Sequence, residues 1–307
     1  MNSETHSPFS WWRRFAVRGV FWRHYLDFGV TNVPFYLIPI TIFFWTIFFF
    51  FVALPARRAV MSNLRVLFPN SPRLTNYFRA WLTFSNFAWT IADAASFKIA
   101  GTEFVYEVEA DEVLQKLAAA RGAILLTAHM GNYDLGAALF ARRYEREITM
   151  VRVPETHAET AQHLGRSLEC AGAGAVRVAY NVSSTALPLE LLNSIRRGEI
   201  VSIQGDRPVA NASQREARLF GQAVSLPDGP FMLAFVAQAP IYPVFILRTS
   251  YHHYKIIAHE PIRCLRSGRD RDATIAEATA EWTRTLEKVI SRHWSQWFSF
   301  VPIFPKS

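Results

Sequence analysis

The sequence predicts an α/β fold with a mostly parallel or mixed sheet flanked by helices, preceded by an N-terminal hydrophobic membrane helix. From about residue 100 onward, short runs rich in Val and Ile alternate with longer amphipathic stretches. The 307 residues suffice for one large α/β domain with its own core. Half of all residues are hydrophobic and 14% are aromatic, with a disproportionate share in the first hundred. We therefore expect a membrane-attachment and helical region at residues 1–100 and the sheet domain at residues 101–307.

An uncharged segment runs from Val33 to Leu54. About twenty apolar residues are enough to cross the hydrocarbon core of a bilayer as a helix. The segment starts too late and is too long for a signal peptide. Because arginines flank both ends, the positive-inside rule does not give its orientation. Three interpretations stay open: a single span, a helix kinked at Pro39 that dips into one leaflet, and a buried core helix.

The elements that follow are predicted from hydrophobic periodicity. Residues 55–100 have a helical pattern, with apolar side chains at 3- and 4-residue spacings. The predicted strands are Ala123–Thr127, Ile148–Val153, Ala175–Ala179, Ile200–Ile203, Ile241–Leu247 and Lys255–Ala258. The predicted helices are Asp134–Tyr144, Thr156–Ala171, Ser184–Arg197, Gly229–Ala237 and Ala273–Trp294. Such alternation is typical of a largely parallel or mixed sheet covered on both faces.

The charge of the chain indicates an anionic partner. The net charge is +8 and the pI is near 9.7, which fits nucleic acid, anionic lipid headgroups or an acidic carrier protein. No nucleic-acid-binding motif is apparent, so we expect no nucleic acid partner. Cys170 and Cys264 lie far apart and outside any CxxC or Cys/His cluster. The sequence therefore predicts no disulfide and no metal site, and a catalytic domain in a reducing, cytosol-facing environment.

A histidine follows the first buried strand of the sheet domain. His129 comes two residues after Ala123–Thr127, and Gly131-Asn132 then breaks the chain before a helix that contains Asp134. In open α/β sheets, ligands bind at the carboxyl ends of the strands. On one continuous helix, residues five apart would point about 140° away from each other. The two side chains can therefore meet only if His129 precedes the helix and Asp134 lies in its first turn. Asn132 is a good N-cap for such a helix.

The pair His129 and Asp134 is suited to activating a hydroxyl. An alcohol attacks a thioester only if a base takes its proton during attack, and histidine serves best near neutral pH. A carboxylate on the other ring nitrogen fixes the tautomer and stabilises the imidazolium. No Gly-x-Ser-x-Gly motif or Cys-His arrangement is apparent, which favours direct transfer over a covalent acyl-enzyme. Taken alone, such a pair is more often structural, with the histidine bonded to backbone and Asp134 capping its helix.

Further motifs follow the His129-x4-Asp134 pair in order. They are Arg152 in MVRVPE, Arg166, Arg197-Gly198, Gln204-Gly205-Asp206-Arg207, Leu219-Phe220-Gly221, Leu226-Pro227-Asp228-Gly229-Pro230, Ala239-Pro240-Ile241-Tyr242-Pro243-Val244 and Trp294-Ser295-Gln296-Trp297. Together with the hydrophobic N-terminal segment, this set resembles the late acyltransferases of lipid A biosynthesis. That family (lauroyl/myristoyl acyltransferase-like) lies within the superfamily of lysophospholipid and glycerol-phosphate acyltransferases. The ordered set covers most of the chain and is specific, whereas His-x4-Asp alone is weak.

The resemblance implies an O-acyltransferase with a glycerol-phosphate acyltransferase-like fold. It implies a thioester of acyl carrier protein as donor, a hydroxyl of a membrane glycolipid as acceptor, and no cofactor, metal or covalent intermediate. It also implies a site that faces the cytoplasm at the bacterial inner membrane, in contact with inner-membrane lipids.

The resemblance also assigns roles to individual residues. It makes His129 and Asp134 catalytic and places Asp206 and Arg207 in the wall of the site. For Asp206 and Arg207, a turn-forming pair after a strand is the alternative. Arg152 and Arg166 are expected to bind phosphate or position the donor, unless they are ordinary solvated arginines.

The acceptor stays open, because this sequence departs from the pattern of many lipid A enzymes. Those carry Glu at the second catalytic position, whereas HMGNYD is closer to the branch that includes phosphatidylinositol mannoside acyltransferases. The alternative acceptors are a mannoside, an amino-acid lipid or a polyene lipid. Two further hypotheses differ in class: a membrane-attached thioesterase that uses the same histidine to activate water, and a non-catalytic lipid-binding protein.

Overall fold

The computed structural model describes residues 28–29, 31–153, 174–181, 186–209, 212–266 and 270–304. The predicted helix at 156–171, and Arg166 with it, lies outside these residues. The strands are β1 Val105–Glu109, β2 Ala123–Thr127, β3 Ile148–Arg152, β4 Val176–Tyr180, β5 Ile200–Gln204, β6 Gln214–Leu219, β7 Gln222–Pro227, β8 Ile241–Ser250 and β9 His253–Ala258. The helices are α1 Ile38–Val52, α2 Leu54–Leu67, α3 Arg73–Ala100, α4 Asp111–Ala119, α5 Tyr133–Tyr144, α6 Ala186–Arg196, α7 Gly229–Ala237 and α8 Arg271–His293.

Seven strands form one mixed sheet in the order β1-β9-β8-β2-β5-β3-β4. The strands from β8 to β4 are all parallel to one another. Strand β9 is antiparallel to β8 and parallel to β1. Strands β6 and β7 form a separate antiparallel hairpin. The predicted α/β class with a mostly parallel mixed sheet flanked by helices is confirmed.

The strand residues divide between two hydrophobic cores because side chains alternate across a sheet. In β2, Ile124 and Leu126 belong to one core, which also contains Trp282 of α8 and Phe231 of α7. Leu125 belongs to the other core, which is built with side chains of α4 and α5. Every residue of β2 is buried. A strand buried on both faces needs an uninterrupted apolar run, which is why its bounds could be read from the sequence.

Two features of the sheet domain were missed. Strand β1 alternates between exposed and half-buried residues at the sheet edge, and the β6–β7 hairpin carries largely polar side chains on its first strand. Neither contains the apolar run by which the other strands were identified. Their position is decided by pairing with distant strands, which local periodicity does not reveal.

The hydrophobic segment between Val33 and Leu54 is not one continuous helix. A 3₁₀ turn, Phe35–Leu37, precedes α1, and the chain bends by 89° between α1 and α2. Pro39 lies in the first turn of α1, where proline is tolerated; the bend comes instead just before Pro55, whose ring cannot continue α1. Among the described residues, no single helix is long and apolar enough to cross a membrane, whereas the bent pair meets that test by length and composition.

The C-terminal segment 294–304 attaches the N-terminal helices to the sheet domain. The side-chain amide of Asn63 in α2 donates to the carbonyl oxygens of Ser299 and Val301, and its oxygen accepts from the amide of Ile303. The ring of Phe87 in α3 packs edge-on against Phe298 and Phe300. The described part of residues 1–100 is therefore bonded to the last residues of the chain. The boundary at residue 100 stays a prediction.

A glycine permits the connection from β2 to α5. Gly131 has a φ of +52°, and a Cβ at this position would overlap the carbonyl oxygen of Ile246 in β8. The next amide, that of Asn132, donates to the same oxygen at 3.1 Å. The turn after His129 thus lies against the sheet at a distance that only glycine allows.

We expect Gly131→Ala to lower the thermal stability more than Gly221→Ala does. Both glycines have positive φ, so both substitutions meet backbone strain of roughly 1 kcal/mol. Nothing lies within 4 Å of a Cβ at Gly221, whereas a carbonyl oxygen blocks it at Gly131. Melting temperatures of the two variants in detergent measure the difference. Equal losses would contradict the close approach at Gly131.

Candidate active site

The candidate site lies where three neighbouring parallel strands end. In the pairing of β2 with β5, Thr127 is opposite Gln204, and these are the last residues of the two strands. His129 and Asp206 each follow two residues later, so their side chains meet. Strand β3, on the other side of β5, ends at Arg152. The carboxyl edge of the sheet, where ligands of α/β proteins are usually bound, therefore carries these side chains.

His129 is hydrogen-bonded to the Asp206 carboxylate. The distance from His129 Nδ1 to Asp206 Oδ1 is 2.6 Å. The Asp206 side chain is fully buried, whereas 13% of the His129 side chain is exposed. Within the described residues, His129 Nε2 makes no hydrogen bond. One ring nitrogen is thus held by a carboxylate and the other is left for a ligand.

The charge of Asp206 fixes the tautomer of His129. Burial by itself would raise the pKa of Asp206, but the nearby His129 ring, its hydrogen bond, the charge of Arg207 and the indole N–H of Trp297 lower this pKa to about 2. The carboxylate is therefore ionised at neutral pH and can only accept hydrogen bonds. Nδ1 must carry the proton, which leaves the lone pair on Nε2. A neutral imidazole of this kind can act as a general base.

Asp134 has a different partner from the one that the sequence predicted. Asn132 caps α5, with its side chain accepting from the amide of Leu135 at 3.3 Å, and Asp134 lies in the first turn, as expected. However, Asp134 Oδ1 accepts from Arg152 Nη1 at 2.8 Å. No hydrogen bond joins it to His129 within the described residues, since Nδ1 is bonded to Asp206. The predicted His129–Asp134 contact is replaced by two pairs, His129–Asp206 and Asp134–Arg152.

Tyr133 connects the two pairs, and sequence reasoning missed it. Its ring packs edge-on against the His129 ring, with 5.9 Å between centroids. Burial raises the pKa of Tyr133, as does the charge of Asp134; the charges of Arg152 and Arg207 and a hydrogen bond from Gln204 act in the opposite direction. The phenol therefore stays protonated in a mixed-charge environment. Its place inside HMGNYD was the available signal, but spacing alone does not mark it.

Trp297 completes the hydrogen bonding of Asp206. Its indole Nε1–H donates to Asp206 Oδ2 at 2.9 Å, and both side chains are buried. The tryptophan belongs to a motif that was identified in the sequence without a role. Its contact with a residue 91 positions earlier could not be read from that motif.

The predicted substrate-binding residues have different surroundings. Arg152 is paired with Asp134, and Arg207 lies close enough to Asp206 and Tyr133 to affect the pKa of each. Arg166 is outside the described residues. Within the described residues, no three His, Cys, Asp or Glu side chains are grouped so that they could hold a metal ion.

Comparison with known proteins gives one family. A family model described as bacterial lipid A biosynthesis acyltransferase matches residues 26–306. The matched range includes the carboxyl-edge site, the helices α1 to α3 and the C-terminal segment. No curated protein matches the sequence.

The ionisation of Asp206 is expected to reduce stability in acid. Its pKa of about 2 in the fold lies below its ordinary value of 3.8, so the ionised form favours the folded state. This contribution is complete above about pH 4 and is lost as the pH falls through about 2. At 1.36 kcal/mol per pKa unit, it amounts to about 2 kcal/mol. Urea unfolding of the wild type and of Asp206→Asn between pH 2 and pH 5 measures it. A stability difference between the two proteins that is independent of pH would refute this account.

Proposed function

This chain belongs to the bacterial lipid A biosynthesis acyltransferase family, and on that premise we propose that it transfers a fatty acyl group from an acyl carrier protein thioester to a hydroxyl of a lipid A-type membrane glycolipid. Family membership supports acyl transfer. The observation that carries the mechanism is the bond from His129 Nδ1 to the ionised Asp206. It leaves His129 Nε2 to accept a proton from the acceptor.

The reaction proceeds by direct attack. His129 Nε2 takes the proton of the acceptor hydroxyl while the hydroxyl oxygen bonds to the thioester carbon. The imidazolium that forms is stabilised by Asp206, as in a catalytic triad. The tetrahedral intermediate then collapses, the carbon–sulfur bond breaks, and the thiolate of the carrier takes the proton from Nε2. The products are the acylated lipid and the free carrier thiol.

Tyr133 and Arg207 are the groups we assign to the developing oxyanion. The pKa of Tyr133 is raised by burial, so the phenol keeps its proton and can donate it in a hydrogen bond. Arg207 lies near both Asp206 and Tyr133, as its effect on their pKa values indicates. Preorganised donors of this kind stabilise the charge that appears on the carbonyl oxygen.

The Asp134–Arg152 pair is assigned to positioning rather than to proton transfer. The carboxylate of Asp134 holds the guanidinium of Arg152 at the end of β3, and both side chains keep about one sixth of their surface exposed (17% and 15%). A guanidinium held in this way can bind a phosphate of the donor or of the acceptor. Asp134 would then be required for activity through Arg152, without contact to His129.

A membrane surface is the proposed location of this reaction, at the cytoplasmic side of the inner membrane. Helix α1 and the start of α3 expose large apolar side chains next to one another: Ile40, Phe43, Phe44, Phe48, Phe51, Val52, Leu74 and Phe78. Arg57 stacks on the rings of Phe50 and Phe51 at the end of α1. Apolar side chains bordered by arginine are typical of segments that insert at the bilayer interface.

Helix α3 extends from the apolar surface to the start of α5. The side-chain amide of Asn132, which starts α5, donates to the carbonyl oxygen of Thr90 in α3 at 3.4 Å. We propose that α3 connects the membrane-binding surface to the start of α5, beside the site. The net charge of +8 also favours an acidic carrier protein as donor.

We expect His129→Ala and Asp206→Asn each to lower kcat by a factor on the order of 10³ to 10⁴. An amide at position 206 can donate to Nδ1, which would place the imidazole proton on Nε2 and remove the base. The assay is mass spectrometry of the lipid product after incubation with acyl-carrier thioester and acceptor lipid in detergent. Unreduced turnover of either variant would disprove the proposed mechanism.

Glu199→Gln is the matched control for Asp206→Asn. Glu199 is also a buried carboxylate, but it precedes β5 at the opposite edge of the sheet, where Arg197 and Arg177 bond to it. The Glu199→Gln variant should retain the kcat of the wild type once the concentration is corrected for the fraction of folded protein. An equal loss of kcat in both variants would mean that the buried amide itself, rather than the loss of the Asp206 carboxylate beside His129, lowers kcat.

We expect Phe44→Glu combined with Phe51→Glu to reduce membrane binding at least tenfold. Both side chains are about two-thirds exposed on α1, and a charge placed within the bilayer costs roughly 3 kcal/mol. Sedimentation with vesicles of phosphatidylethanolamine and phosphatidylglycerol measures binding. Leu189→Glu is the control, because Leu189 is equally exposed but lies on α6. Unchanged sedimentation of the double variant would exclude α1 as the membrane-binding surface.

The acceptor is identified by comparing total lipids of cells with and without the protein. Loss of one acyl chain from a lipid A-type glycolipid supports the proposal. Loss from a mannoside, an amino-acid lipid or a polyene lipid keeps the chemistry and changes the acceptor. Release of free fatty acid from the carrier by purified protein, without any acylated lipid, would indicate a thioesterase.

A further inference from the structure

The C-terminal motif Trp294-Ser295-Gln296-Trp297 takes no part in the reaction as described so far. Residues Trp294–Gln296 form a 3₁₀ turn after α8. This turn redirects the chain toward the carboxyl edge of the sheet, where Trp297 meets Asp206. The motif therefore reaches the His129–Asp206 pair.

Each oxygen of the Asp206 carboxylate is bonded to one ring N–H. Oδ1 accepts from His129 and Oδ2 from Trp297, at 2.6 Å and 2.9 Å. The carboxylate has no exposed surface, so water does not compete for either oxygen. Two donors on different oxygens fix the rotation of the carboxylate plane. The orientation of Asp206 toward His129 thus depends on the indole of Trp297, 91 positions later in the sequence.

The same segment also holds the backbone around His129. The amide of Phe298 donates to the carbonyl oxygen of His129 at 2.7 Å, and the amide of Gly131 donates to the carbonyl oxygen of Gln296 at 3.1 Å. Met130 and Trp297 form an antiparallel bridge between these bonds. Residues 296–298 therefore bond to the backbone around His129 and to the side chain of Asp206.

Gln296 attaches this segment to the sheet. Its side-chain amide donates to the carbonyl oxygen of Arg248 at 2.7 Å and its oxygen accepts from the Arg248 amide at 2.8 Å. Both backbone groups near the end of β8 are thus used by one side chain. The segment is anchored independently of Asp206, as a positioning element must be.

We propose that Trp297 is a positioning residue of the acyl transfer, whose indole N–H orients the Asp206 carboxylate so that Oδ1 faces His129 Nδ1. This inference rests on the proposed function. Without the N–H, Oδ2 becomes a buried acceptor with no partner, which is unfavourable. The carboxylate then turns away from His129 or takes up a proton. In both cases the histidine loses the group that fixes its tautomer.

The test is a double-mutant cycle of Trp297→Phe with Asp206→Ala. Trp297→Phe should lower kcat by roughly 10- to 100-fold, the size of effect known for partners that orient metal ligands, with the KM for each substrate within twofold of wild type. In the Asp206→Ala background the same substitution should change kcat by less than twofold, because no carboxylate is left to orient. A general packing defect would instead give losses that multiply.

Trp294→Phe is the matched control. It removes an indole N–H from the same motif, but the Trp294 ring packs on Phe68 and Arg79, and among the described residues no hydrogen bond joins it to Asp206. We expect its kcat to remain within twofold of wild type. A second variant carries β-(3-benzothienyl)alanine at position 297, which keeps the ring shape and replaces the N–H by sulfur. It should reproduce the kcat loss of Trp297→Phe, so the test does not depend on how well Phe fills the site.

The outcomes separate this inference from the proposed function. Full kcat in the benzothienyl variant, or equal losses in the wild-type and Asp206→Ala backgrounds, would overturn the role of Trp297 alone. If Asp206→Ala and His129→Ala both keep wild-type kcat, the proposed mechanism of His129 and Asp206 fails, and the role of Trp297 fails with it. Loss of activity in those two variants, with Trp297→Phe acting only in the presence of Asp206, supports both.

Discussion

A buried negative charge is the strongest constraint on the arrangement of this site. A carboxylate removed from water is costly unless its oxygens are bonded and a positive or polarised partner is close. Asp206 meets this condition only because His129, Trp297 and Arg207 converge on it. His129 follows β2, Trp297 follows α8, and Arg207 is the residue next to Asp206 after β5. The fold must therefore bring three separate segments together before this charge is tolerated.

Helix α3 is linked to the same structure by a second buried carboxylate. Asp93 of α3 accepts from the Tyr254 hydroxyl at 2.6 Å and from Arg248 Nε at 3.0 Å. The backbone of Arg248 is bonded to the Gln296 side chain, and Asn132 lies within 3.4 Å of the Tyr254 oxygen. A chain of hydrogen bonds thus connects α3, β8, the C-terminal segment and the start of α5.

The two edges of the sheet differ in their electrostatics. At the carboxyl edge, the N-terminus of α5 lies beside Asp134, and a helix N-terminus favours negative charge. At the opposite edge, α4, α6 and α7 end around a cleft of about 510 Å³ that is lined by Lys116, Arg121, Arg196 and Arg263. Cations near helix C-termini offset the partial negative charge there. That basic cleft is therefore accounted for by the fold, whereas the charges at the carboxyl edge are arranged around a histidine.

The sequence by itself determined the class of fold, the bounds of β2 and α7, the N-cap at Asn132 and the position of His129 at the carboxyl end of β2. These features depend on local patterns: apolar periodicity, a capping residue and a short motif. The edge strand β1, the β6–β7 hairpin and the bend before Pro55 were not predicted. Only the tertiary structure decided that His129 is hydrogen-bonded to Asp206, that Asp134 pairs with Arg152, and that Trp297 donates a hydrogen bond to Asp206. Those contacts depend on which strands are neighbours in the sheet. The hydrogen bonds of Asp206 with His129 and Trp297 join residues 77 or more positions apart in the sequence. No local sequence pattern encodes contacts over that separation.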